Sequence, residues 1–276
     1  MTTTSTTTSE QLLAWDPAHG LTTTDPGSEG PFLAADSWLI RDGRVRALPR
    51  HRERFLRACA EAGGPPAAQL SAFWREMTAA LPRADGTWFP RVELAAARTA
   101  GRRPQLRLRL RPAPPLAPAV RVWGAGQPDP RTLPRRKGPD LGTLAGVRRR
   151  ASTQGQGADE AVLTTASGLI LEAANSSILW WEDDTTLCLP APELPVLPGV
   201  TTGLLQARAR RSGIRLLHRR CTLDDLDGHE VWLVNALHGI RPVTDWTDRP
   251  ITAGPAPRAA EWQAWLTGIS EPLPGG

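Results

Sequence analysis

The sequence predicts an α+β chain in two lobes, and three observations carry that reading. Strand-like and helix-like segments are mixed along the whole length rather than sorted to one end. The run Pro112-Ala-Pro-Pro-Leu-Ala-Pro118 is stiff and extended, and the pattern changes beyond it. No internal repeat is present. The expected division is a disordered tail over 1–10, a small N-terminal α+β domain over 11–111, the linker over 112–118, and a larger C-terminal mixed β domain over 119–276.

Gln11 to Trp15 and Ser37 to Ile40 are short apolar runs that read as strands, and Asp42-Gly43 is a tight hairpin signal. Arg50 to Gly63 has helical spacing, with Phe55, Leu56, Cys59 and Ala60 on one side and Gly63-Gly64 as a stop. Pro66 to Leu81 predicts a second helix carrying Leu70, Phe73, Trp74 and Met77. Arg91 to Ala97 and Gln105 to Arg111 read as strands. In the second, Leu106, Leu108 and Leu110 alternate with Arg107, Arg109 and Arg111, giving one apolar and one basic face.

Past the linker, Ala119 to Trp123 reads as a strand and Leu141 to Thr153 as a helix. Strands follow over Glu160 to Thr164, Leu169 to Ala173 and Ser177 to Trp181, with turns at Ser167-Gly168 and Asp183-Asp184. Pro198 to Arg211 is a helix closed near Gly213. Glu230 to Val234 is a buried strand ending at Asn235, and Ala259 to Leu266 is an amphipathic last helix.

The 276 residues suffice for a substantial core, and 40% hydrophobic with 22% charged content reads as soluble and globular. No apolar run approaches the roughly 20 residues of a membrane helix. The opening MTTTSTTTSEQ has neither the basic start nor the apolar stretch of a signal peptide. Cys59, Cys188 and Cys221 are far apart and lack metal spacing, so the expectation is a reducing cytoplasm with no disulfide framework and no zinc. A net charge of +5 and a pI near 10.2 raise nucleic-acid binding as a rival. The arginines fall in short separate groups without a nucleic-acid motif, which favours a solvated basic surface.

Lys137 is the only lysine in the chain, among 32 arginines. Guanidinium stays protonated, whereas an ε-amine can lose its proton and condense with a carbonyl. The depletion of lysine, of tyrosine (absent) and of asparagine (Asn175 and Asn235 only) follows the codon bias of a GC-rich genome. A lysine retained against that pressure is a candidate nucleophile; a chance surface lysine is the alternative.

Four segments then form a pattern: DSWLIRDGRVRALPRHRERF, RRKGPDL, GADEAVLTTASGLILEAANSSILWW with VLPGVTTGLL, and HEVWLVNALHGIRPV. In order and spacing the chain resembles the fold-type IV pyridoxal-phosphate enzymes, which include branched-chain aminotransferases, D-amino-acid aminotransferases and aminodeoxychorismate lyases. The match covers most of Asp36 to Val243.

The resemblance implies a pyridoxal 5'-phosphate cofactor in Schiff-base linkage to Lys137, which then shuttles the substrate proton. Arg135 and Arg136 flank it and would favour the free amine by charge repulsion. Glu172 falls where the family sets a carboxylate against the pyridine nitrogen. Gly199, Val200 and Thr201 open a helix whose free amides and dipole attract a phosphate. Arg54 matches the family's phosphate arginine, Asn235 a polar residue on the far side, and His51 reads as structural. A helix cap for Thr201 and a salt bridge for Arg54 are the plain alternatives.

Three departures accompany the resemblance. Ser177 stands where the family usually has asparagine, Asp140 takes a place often held by asparagine, and no tyrosine follows the lysine. They set ordinary branched-chain transamination in doubt. Ser37 aligns with a hydroxyl residue of the lyases and is the candidate proton donor, and Asn235-Ala-Leu is lyase-like as well. Arg91, Arg107 and Arg109 are candidates for substrate carboxylates, though a solvent-facing edge accounts equally well for the arginines of 107–111. The resulting expectation is a cytoplasmic homodimer acting on a small-molecule amine, bound to neither membrane nor nucleic acid. Its activity is that of a 4-amino-4-deoxychorismate lyase; the alternatives are a class IV aminotransferase and a non-catalytic scaffold of the same fold.

Overall fold

The computed structural model describes residues 10–25, 31–97, 103–124 and 128–275, so the expected disorder of the N-terminal tail falls, but for Glu10, outside the described residues. The chain forms two compact units. One takes in the chain as far as Pro115 together with the segment from Ser270, and the other runs Leu116–Ile269.

In the first unit, β1 (Gln11–Asp16), β2 (Gly20–Thr23) and β3 (Phe32–Ser37) are followed by two very short strands, β4 (Ile40–Arg41) and β5 (Arg44–Val45). Then come α1 (Leu48–Glu61), α2 (Ala67–Ala79), β6 (Thr87–Trp88), β7 (Arg91–Ala95) and β8 (Gln105–Leu110). An antiparallel sheet runs in the order β2-β1-β8-β7-β3. The strand expected over Ser37 to Ile40 is corrected: pairing with β7 ends at Ser37, and Ile40 begins the next hairpin. Asp42 (φ 49°) and Gly43 (φ 67°) form that turn, both in the left-handed region that a two-residue hairpin of matching twist requires. A Cβ at Gly43 would also lie 2.5 Å from the Arg83 carbonyl oxygen.

The buried stripe of α1 is His51, Arg54, Phe55, Ala58 and Cys59, spaced i, i+3, i+4, i+7, i+8. Ala60, expected on that side, is exposed. Leu70, Phe73, Trp74 and Met77 of α2 join Phe55, Cys59, Val92, Leu94, Leu106 and Leu108 in one core. The leucines of β8 therefore face the helices, and Arg107 and Arg109 point to the opposite face. Both arginines are buried there, which excludes the solvent-facing edge for them.

In the second unit, β9 (Val120–Trp123) and α3 (Leu141–Gln154) precede β10 (Glu160–Thr164), β11 (Ile170–Ala173), β12 (Ser177–Asp183) and β13 (Thr186–Pro190). After α4 (Val200–Arg211) come β14 (Arg215–Arg219), β15 (Glu230–Asn235), β16 (Gly239–Trp246) and α5 (Ala259–Gly268). The eight strands form one mixed sheet in the order β11-β10-β9-β16-β15-β12-β13-β14. One core packs α4 and α5 on Leu179, Trp181, Trp232 and Val234, and another packs α3 on Ala161, Leu163 and Leu171. The last strand, β17 (Glu271–Pro272), belongs to the first unit and pairs there with β5.

β14 is an edge strand, and its arginines are matched by acids: Arg215 with Asp183 at 3.7 Å and Arg219 with Glu182 at 2.9 Å. Charge on an edge blocks pairing with a second sheet. The basic groups read from the sequence are thus partly neutralised locally. Among the described residues no helix is long and apolar enough to cross a membrane, and no group of acids, histidines and cysteines could hold a metal ion.

Candidate active site

The second unit ties Glu172 to Arg131 and to the segment that enters α4. Pro128 bridges Thr164 in parallel, and the Asp129 N–H donates to the Thr164 carbonyl at 2.8 Å. Leu163, the neighbour of Thr164, pairs with Glu172 across β10 and β11. The pairing sets Arg131 beside Glu172, and the two side chains form an ion pair in which each is almost fully buried. Asp129 grips the same guanidinium with three contacts of 2.7 to 2.9 Å, and the Pro195 carbonyl accepts from it at 3.0 Å. The Leu197 N–H donates to Glu172 Oε1 at 2.8 Å, tying this carboxylate to the segment that enters α4. Burial pushes the Glu172 carboxyl up, while Arg131 pulls it the other way.

Lys137 is half-buried on the loop between Arg131 and α3. That loop is closed by Asp140, whose Oδ1 accepts from the Thr132 N–H and hydroxyl and whose Oδ2 accepts from the Leu133 N–H, each at 3.0 Å. Gly138 takes φ 135°, a conformation other residues rarely adopt, at the turn after the lysine. Arg135 points away onto the Pro192 and Leu194 carbonyls, at 2.8 Å each. The aspartate that departs from the family pattern thus braces the lysine loop. Asp140→Asn would set an NH2 against one of the backbone N–H groups. It should cost about 1–3 kcal/mol in urea unfolding and lower turnover as the loop shifts; unchanged stability and rate would contradict this role.

α4 begins at Gly199 with no side chain capping its first amides. A Cβ at Gly199 would lie 2.8 Å from both Ser177 Oγ and Thr202 Oγ1, so a larger residue there would have to displace these hydroxyls. The Thr202 hydroxyl is buried without a hydrogen-bond partner, and Thr201 is buried in the same turn. Uncapped amides, an unsatisfied hydroxyl and a bare Cα suit an anion such as a phosphate. Asn235 lies near this corner with its amide already engaged. Its oxygen accepts from the Leu237 and His238 N–H groups, and its nitrogen donates to Ser176 Oγ at 3.0 Å. Ser176 Oγ also receives Arg241 Nη2 at 3.3 Å.

The remaining expected residues lie in the first unit. Arg54 forks onto Asp36 with two bonds of 2.7 Å, and His51 Nδ1 shares Asp36 Oδ1 at 2.9 Å, all on the helix-covered face. Burial alone would raise the Asp36 carboxyl, but Arg54 and His51 outweigh it and hold it well below the usual carboxylate range. Ser37 lies on the other face. Register aligns Ser37, Arg91 and Arg109 in one row and Glu93 with Arg107 in the next. Arg91 donates to Glu93 Oε1 at 2.7 Å and Arg109 Nε at 3.2 Å.

Asp129, Arg131, Thr202 and Glu93 were not singled out in the sequence. Arg131 is one arginine among many, and only the pairing of Pro128 with Thr164 selects it. The Thr-Thr pair after Gly199 was the one visible signal, and it led to Thr201 alone.

Residues 33–246 match the Amino-transferase class IV family, and the chain belongs to that family. Membership bears out the expected two-lobed fold-type IV architecture and a pyridoxal-phosphate-dependent enzyme. A hypothetical aminotransferase from Mycobacterium tuberculosis is 20% identical, with a TM-score of 0.76 over 95% of this chain and 98% of that one. A branched-chain aminotransferase from Thermoproteus uzoniensis is 19% identical, with a TM-score of 0.74 over 96% and 99%. A candidate 4-amino-4-deoxychorismate lyase from Legionella pneumophila is 18% identical, with a TM-score of 0.71 over 86% and 90%. At these identities the likeness speaks for the fold alone. No curated protein matches the chain.

Proposed function

We propose that the chain is a pyridoxal-phosphate-dependent lyase of the 4-amino-4-deoxychorismate type, acting as a cytoplasmic homodimer and releasing pyruvate to give 4-aminobenzoate. The observation that carries this reading over its rival is the placement of Ser37: its row on the sheet holds Arg91 and Arg109, on a face that is buried. Eliminating an enolpyruvyl group calls for a proton donor beside a carboxylate site, which transamination does not need.

When bound, the cofactor supplies a ring that accepts the electron pair left by proton removal. Lys137 Nζ is the group that would hold the cofactor, and the same amine would take the proton from the substrate ring. The Ser37 hydroxyl donates a proton to the departing enolpyruvate, and Arg91, Arg107 and Arg109 bind substrate carboxylates. Glu172 serves the ring nitrogen, with Arg131 favouring its charged form. Gly199, Val200, Thr201 and Thr202 take the phosphate, and Arg54, fixed in one orientation by Asp36, supplies the cation. Asn235 contributes by holding Ser176 and the turn beside Ser177.

Incubation with aminodeoxychorismate, and separately with amino acids and 2-oxoglutarate, tests the reading. Aminobenzoate and pyruvate in equal amounts are expected. A keto acid with glutamate and no aminobenzoate would assign the chain as a class IV aminotransferase. A protein that stays colourless with added cofactor and makes neither product would be a scaffold of the same fold.

A further inference from the structure

One buried ion pair of the second unit has no part in the proposed chemistry and is poorly built as a stabilising contact. Arg241 on β16 and Glu160 on β10 are both buried and stand 3.6 Å apart, longer than a hydrogen bond. Arg241 Nε is buried with no hydrogen-bond partner. Burial pushes the Glu160 carboxyl up and the Arg241 guanidinium down, so their attraction does not offset the loss of water. Two apolar side chains of similar volume often match or exceed the stability of such a pair. Its use lies in what the guanidinium holds.

Arg241 Nη2 donates to Ser176 Oγ at 3.3 Å, and Asn235 Nδ2 donates to the same oxygen at 3.0 Å. Ser176 is buried and closes a tight turn, in which the Ala173 N–H donates to the Ser176 carbonyl at 2.7 Å. Glu172 precedes this turn and Ser177 follows it, and Ser177 Oγ packs against Gly199 at the entrance of α4. We propose that Arg241 is a positioning residue: held by Glu160, it fixes Ser176 and thereby sets Ser177 against Gly199, keeping the entrance of α4 in shape for a phosphate. The inference rests on the proposed reading of that entrance and adds the device that holds it.

Pyridoxal 5'-phosphate and pyridoxal differ by the phosphate alone, so the ratio of their affinities reads the entrance of α4 rather than the whole site. Both are titrated by calorimetry into the cofactor-free full chain and its variants. Ser176→Ala leaves the Glu160–Arg241 pair in place and should lower the preference for the phosphorylated form about three- to tenfold, the range of one hydrogen bond. Glu160→Met combined with Arg241→Met replaces the pair by apolar side chains. It should keep its resistance to urea and still lose preference by about threefold or more. Adding Ser176→Ala to that variant should lose no more than Ser176→Ala alone, because all three changes act through one contact. Should the methionine variant fail to fold, as judged by circular dichroism, Arg241→Lys keeps the charge near Glu160 without the guanidinium fork and should lose preference likewise. An unchanged preference, a fall in both affinities alike, as a merely structural pair would give, or losses that add would overturn the proposal and leave the reading of α4 standing. Equal affinity for the two forms in the unaltered protein would overturn both. Binding alone is measured, so the outcome is independent of whether aminobenzoate is made.

Discussion

Lys137→Ala should abolish turnover, by at least about 10⁴-fold, and leave the fold intact. The size of the loss follows from the two duties that fall on one amine, covalent attachment and proton transfer. No other lysine exists in the chain to take over either. The fold should survive because Lys137 is half-buried on a loop whose closure depends on Asp140, Thr132 and Leu133. Thermal unfolding should move by no more than surface substitutions do, about 0.5 kcal/mol. Lys137→Arg sharpens the test. It keeps the positive charge but offers no usable nucleophile, so it should be as inactive as the alanine variant. An active arginine variant would mean that the residue serves only as a charge.

Glu172→Ala should have the next largest effect, and on two readouts at once. It removes one partner of a buried ion pair, which typically costs about 3–5 kcal/mol because the survivor stays buried. The lower end is expected here, since Asp129 still grips Arg131 and the Pro195 carbonyl still accepts from it. The Leu197 N–H also loses its acceptor just before the phosphate-side helix. Cofactor should therefore wash out of the variant more readily than from the unaltered protein, beyond what reduced stability alone explains. Arg131→Met offers the complementary case. With the guanidinium gone, burial pushes the Glu172 carboxyl up against the Leu197 N–H alone, so the variant should keep its carboxyl yet lose activity as the charge is lost. Full activity in Arg131→Met would remove Arg131 from the site.

The sequence made the local elements legible wherever periodicity and turn chemistry agree. The stripe of α2 and the Asp42-Gly43 hairpin lie where their patterns put them. Strands whose partners are distant were harder to see. β16 contains Pro242, which weakens its strand signal, and β14 reads as a basic run because three of its five residues are arginine or histidine. β17 is two residues long and has no pattern at all. At the site, Lys137 stood out by rarity. The Arg107 and Arg109 alternation revealed a basic face but not that it is buried, since burial depends on what covers the sheet. Asp140 was visible only as a departure. Its role in closing the lysine loop needs the backbone N–H groups of Thr132 and Leu133 to converge on it, which no spacing in the sequence announces.

One measurement bears most directly on the assignment of Lys137. The folded protein is incubated with pyridoxal 5'-phosphate, reduced with sodium borohydride, digested and mapped by mass spectrometry. A single label on the peptide containing Lys137 is the expected result. A label on any other amine, the N-terminus included, or no label on folded protein, would contradict it.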